Sequence, residues 1–125
     1  MITKFDVQCK IANPLEDVHG RKYLQLELPP DVEEQIFRTQ LMNSNLLKFE
    51  KIKNSLVRNV LEVKVPYRYN RVMCTTEGIT SIHSLKEGDS VRVIFSFGGA
   101  WNTNGVSGFT WKLNLLDTTT MDKYL

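Results

Sequence analysis

Cysteine is scarce in this chain: Cys9 and Cys74 are the only two among 125 residues, and they form no CxxC pair. That excludes a disulfide framework, and it leaves two reduced thiols in or near the core of an intracellular protein as the expectation. Histidine is equally rare, with His19 in a turn-like HGRK and His83 isolated between Ile82 and Ser84. The chain has no HExxH, no GxSxG, no Gly-rich phosphate loop and no carboxylate pair beside a histidine. Hydrolytic, metal and phosphoryl-transfer chemistry are therefore disfavoured, and the chain reads as a non-enzyme with no cofactor and no metal. Long apolar runs are missing too, so no membrane-spanning helix is expected. With Thr3, Lys4 and Asp6 among the first six residues, no secretory leader is expected.

What is present is ordinary globular composition, 42% hydrophobic and 24% charged, with a net charge of only +2. The average hides a concentration of charge. Residues 48 to 71 carry seven basic and two acidic side chains, whereas the flanking segments are mildly acidic. A charge run is commonly a solvated face, so its meaning depends on the residues interleaved with it.

Period-two alternation of apolar and polar residues marks the strands. Lys4 to Ala12 alternates Phe5, Val7, Cys9 and Ile11 with polar partners, and Asn13-Pro14 is expected to end it. A turn at Val18 to Arg21 leads to a second strand over Tyr23 to Leu28. Pro29-Pro30 then breaks the pattern. Pro30 suits a first helical turn, with Asp31, Glu33 and Glu34 at the positive end of the dipole, so a helix is predicted from about Pro30 to Met42. Val32, Ile36, Phe37 and Leu41 fall on its expected core face. Lys48 to Asn59 is ambiguous between a short strand and a basic loop. Leu61 to Tyr69 alternates again, with Pro66 confining that strand to an edge or ending it. Val91 to Phe97 and Phe109 to Leu115 form a long hairpin, in which Trp111 is a core residue and Trp101 lies in a polar, Gly/Asn-rich loop.

Five strands that each hide one face, with one helix, are best satisfied by a small antiparallel barrel over residues 1 to 117, followed by a short tail over 118 to 125. Within it, VPYRYNR (65 to 71) interleaves Tyr67 and Tyr69 with Arg68 and Arg71 directly after the most basic stretch. Cations along a backbone track and aromatic faces for unstacked bases are the mixture used to hold single-stranded nucleic acid. The two tyrosines also continue the parity of Leu61, Val63 and Val65, so a place in the core is the competing reading for each. The candidate contacts are Trp101, Tyr67 and Tyr69 for stacking, with Lys53, Arg58, Lys64, Arg68, Arg71, Arg92 and Lys112 for phosphates.

The stretch VRVIFSFGGAWNTNGVSGFTWKLNLLD (91 to 117), with Trp101, Gly108, Phe109, Trp111, Lys112 and Leu113 in it, resembles the C-terminal strand pair of small OB-fold single-stranded DNA-binding proteins of phages and large DNA viruses. It covers roughly the last third of the chain. The resemblance implies an OB-like barrel that binds single-stranded DNA with little sequence preference in replication, recombination or repair. Its location would be the cytoplasm, or a host cell if the protein is viral. RNA stays open as a ligand, replication or recombination proteins as partners, and a homodimer through the edge at Leu61 to Tyr69 as an assembly. The helix departs from the usual OB position between the third and fourth strands, which leaves strand order open, and the acidic recruitment tail of such proteins is missing. The rival reading is a β-barrel protein interaction module or viral accessory protein whose Trp101 loop docks into a partner.

Overall fold

The computed structural model describes residues 4–69, 71–78 and 81–119. Strands β1 (Lys4–Val18) and β2 (Arg21–Glu27) form a hairpin closed by His19 and Gly20, with φ of 54° and 82°. Such a two-residue turn matches the twist of the strands it joins. β1 does not stop at Asn13-Pro14 as the sequence suggested. Its register against β2 shifts between Ile11 and Asn13 and again between Asn13 and Glu16. Proline has no N–H to give to a ladder, and the irregular pairing accommodates it while the strand runs on.

Helix α1 (Pro30–Met42) has the predicted bounds, with Pro30 in its first turn beside Asp31 and Glu33. Its inward face matches the expected one at Val32 and Ile36 and differs at Phe37 and Leu41. Ile36, Thr39 and Gln40 are buried, while Phe37 and Leu41 are 55% and 60% exposed. The reason is a polar demand in the core. Trp111 is buried, and its indole Nε1–H donates to Gln40 Oε1 at 3.0 Å, so the helix must turn its Gln40 edge inward to satisfy that donor.

After a 3-10 turn at Ser44–Leu46 come the short β3 (Lys51–Lys53) and β4 (Leu56–Val57), then β5 (Val60–Val65). β6 (Tyr67–Arg68) and β7 (Arg71–Val72) make a separate two-stranded sheet, followed by β8 (Thr75–Glu77) and a 3-10 turn at Ile82–Ser84. The chain then enters the long β9 (Ser90–Thr103) and β10 (Val106–Asp117).

Five of these strands close on themselves. β1 pairs with β2 and β9, β2 with β5, and β9 with β10, all antiparallel, while β10 meets β5 in parallel at Lys112 and Lys64. Numbered by chain order, the long strands run 1-2-3-5-4 around an OB-like barrel. The expected wholly antiparallel barrel is corrected here, because an odd number of strands in a closed ring cannot all alternate direction. The helix lies between the second and third long strands. The connection between the third and fourth holds β6, β7, β8 and the second 3-10 turn.

The alternating residues read from the sequence fill the interior: Phe5, Val7, Leu24, Leu61, Val63, Val93 and Phe95 are all buried. Phe5, Phe95, Phe97 and Trp111 form an aromatic cluster with ring centroids 5.1 to 5.9 Å apart. Edge-to-face and offset contacts of this kind add to the area they bury. Both cysteines are free, and burial pushes the Cys9 thiol up to about 12. The edge expected at Leu61 to Tyr69 does not exist as such. β5 is bordered by β2, β4 and β10, and Pro66 releases the chain into the β6–β7 hairpin. β5 therefore does not continue as one open edge through Tyr69. No helix among the described residues is long and apolar enough to cross a membrane.

Candidate nucleic-acid interface

The outward parity of β2, β5 and β10 assembles one surface. Leu24 and Leu26, Val63 and Val65, and Trp111 and Leu113 point inward. Lys64 and Lys112, between these residues, and Tyr23, next to Leu24 on the opposite parity, consequently face out. Tyr23 is the register partner of Lys64, and Lys64 is the partner of Lys112, so the three stand side by side across three strands. Cross-strand partners share a face and lie within reach of one another.

Further along β10 the same face continues. Gly108 pairs with Lys53 of β3 on one side and with Trp101 of β9 on the other. The Lys53 ammonium is 3.8 Å from the Glu62 carboxylate and 6.0 Å from the centre of the Tyr23 ring. Gly108 is required by its neighbour: a Cβ there would lie 2.6 to 2.9 Å from three atoms of the Trp101 indole. The ring therefore rests against the glycine and is half-buried.

Trp101 is not in a loop, contrary to expectation. The connection is only Asn104 and Gly105, with φ of 54° and 80°, and Trp101 is within β9. What turns it outward is a bulge. Gly99 has φ 93°, and the register jumps from Phe97 opposite Trp111 to Ala100 opposite Phe109. Without the extra residue Trp101 would continue the inward parity of Val93, Phe95 and Phe97; with it, the indole changes faces.

At the other end of the surface stands the β6–β7 hairpin. Lys22, paired with Asp17, holds its ammonium 4.9 Å above the Tyr67 ring. Its hydrogen bond keeps the Asp17 carboxyl below the usual range, helped by the Gly20 amide. Arg68 and Arg71 are register partners, both exposed, and no carboxylate pairs with either among the described residues. Tyr69, 82% exposed at φ 53°, has the Arg68 guanidinium 5.8 Å from its ring centre. Pro66 is what separates the tyrosines, because the parity that would have carried both inward stops there.

No protein-family model and no curated protein matches this chain. The geometry alone carries the assignment of roles. It brings together eight of the ten residues singled out from the sequence: Trp101, Lys53, Lys64 and Lys112 on the barrel face, and Tyr67, Arg68, Tyr69 and Arg71 at its end. Two others lie elsewhere. Arg92 is held by Asp6 through two hydrogen bonds of 2.7 and 2.9 Å and reaches Asp117 at 3.5 Å, on the β1–β9 side of the barrel. Arg58 sits in the β4–β5 turn at φ 58°, lining a recess with Glu33 and Glu34 of α1. Tyr23 and Lys22 were missed. An aromatic on the polar parity of an otherwise alternating strand was the available signal for Tyr23. Among the described residues no three His, Cys, Asp or Glu side chains form a group that could hold a metal ion.

Proposed function

We propose that the chain binds single-stranded nucleic acid, DNA in the first instance, with little sequence preference, and serves replication, recombination or repair. The observation that carries this reading is the outward face on which Trp101 and Tyr23 stand among Lys53, Lys64 and Lys112, with Tyr67 at its end under Lys22. OB-like barrels use the face of the second and third strands, with the adjoining loops, to hold oligonucleotides. Here that face is β2 and β5, bounded by the β1–β2 turn and the β9–β10 hairpin. Bases would stack on the rings, and the lysines and the exposed Arg68 and Arg71 would follow the phosphates. A double helix offers no unstacked base to these rings, which favours the single strand.

Tryptophan emission tests it directly. Trp111 is 1% exposed, so a change on adding ligand reports on Trp101. A dT oligomer of about 30 nucleotides, long enough to cover one OB-sized site, should quench emission at low salt. The quenching should reverse as salt is added and be largely lost in Trp101→Phe. Trp101→Ala should weaken binding by about 1–3 kcal/mol, the worth of one stacked base. Unchanged emission and no binding by the intact protein would sink the reading.

A further inference from the structure

A second surface lies on the opposite side of Lys53. Phe37, Leu41, Ile52 and Phe109 line one recess, and Met42, Leu46 and Phe49 follow along the chain between the helix end and β3. These six side chains are 40% to 67% exposed. At roughly 150–200 Å² of accessible surface for each large side chain, they show on the order of 500–600 Å² of apolar surface to solvent. That is the upper end of what a monomer displays as its largest patch. It is also close to the apolar share of a standard interface, which buries about 800 Å² per partner at roughly 57–65% non-polar area.

The charges around this surface indicate what covers it. The N-terminal half of α1 carries Asp31, Glu33 and Glu34, with Arg38 bonded to Glu34 and Arg58 close by. The other end carries Lys48, Lys51 and Lys53 against Glu50. With Arg38 and Arg58 counted at the helix start and the Glu62 that pairs with Lys53 counted at the other end, the two ends still carry net charge of opposite sign, and such a surface complements itself under a two-fold axis. We infer that this face joins two copies of the chain, with the exposed stripes of the two α1 helices antiparallel so that Phe37 of each copy lies beside Leu41 of the other. Pairing through the open edge of β3 is disfavoured, because Lys51 and Lys53 flank Ile52 there. Helix against helix is the mode that the residues permit. The inference does not depend on nucleic-acid binding, although Lys53 borders both surfaces and two copies would present two aromatic faces on one particle.

Sedimentation velocity or light scattering over a concentration series tests it. The full chain should show a mass twice its 14.4 kDa at concentrations of about 10–100 μM. Leu41→Glu and Phe37→Asp should each return the mass to 14.4 kDa. Both residues are more than half exposed, so the melting temperature measured at low concentration should be unchanged. A single chain mass throughout for the unaltered protein would overturn the inference, and so would a doubled mass that survives both substitutions.

Discussion

At the residue scale, the contact between Trp101 and Gly108 decides whether the candidate face has its largest ring. Gly108 is buried, and its missing Cβ is the space that the indole occupies. Gly108→Ala should lift the ring, shift its emission to the red and cost about 1–3 kcal/mol in chemical denaturation, the usual range for overpacking. Binding of dT should weaken with it. An alanine variant with unaltered emission and binding would show that the ring does not need this seat. Trp111 plays the opposite part from almost the same sequence environment. It faces the core, satisfies its N–H on Gln40, and thereby sets the rotation of α1 that leaves Phe37 and Leu41 in water.

At the scale of elements, Arg92 links β1, β9 and β10 through Asp6 and Asp117. Hydrogen bonds from Arg92 hold the Asp6 carboxyl below the usual range, and the Thr119 hydroxyl and amide, with Arg92 adding to them, do the same for Asp117. A depressed carboxylate stabilises the fold fully above its ordinary pKa, and that contribution is lost as pH falls through the depressed value. The melting temperature should therefore hold near neutrality and fall below about pH 4, with Asp6→Asn flattening the acid limb. A wild-type melting curve no steeper in acid than that of Asp6→Asn would contradict this linkage. The elements also show what can be read without coordinates. Pro30 with its acidic neighbours, and the strict alternations in β1, β2, β5 and β9, are local signals, and they placed the helix and the body of each long strand, although β1 and β9 run on past their expected ends and β5 stops at Val65. The bulge at Gly99 is not local: it is a mismatch between two strands, so nothing in β9 alone announces that Trp101 changes sides. The inward turn of Gln40 was hidden for the same reason, since it answers a donor 71 positions away. Tyr23 was legible as a strand residue, but its place beside Lys64 depends on the register of β2 against β5.

At the scale of the molecule, charge separates residues that serve the face from those that serve the fold. If four or five of Lys53, Lys64, Arg68, Arg71 and Lys112 meet phosphates, the logarithm of affinity for a single strand should fall with log salt with a slope of about −3. Arg68→Gln with Arg71→Gln should reduce that slope by about 1.4. Arg58→Gln, remote from the face, should leave it unchanged, and Arg92→Gln should lower stability without altering the slope. A titration series over monovalent salt measures all three. Equal losses from Arg58→Gln and from the Arg68 and Arg71 pair would mean that the electrostatics are diffuse and that no path runs along this face.

The barrel closes at a single parallel bridge, between Lys64 and Lys112. Every other joint of the five-strand ring is a ladder of several residues. The cylinder therefore has a seam, and the seam puts two like charges side by side under the candidate ligand path. Local opening should begin where the fewest bonds must break. Backbone amides of β5 and β10 along this joint should exchange with deuterium faster than those of the β9–β10 ladder. An oligonucleotide whose phosphate sits between the two lysines would act as a clasp, and protection along the seam should rise on binding more than anywhere else in the barrel.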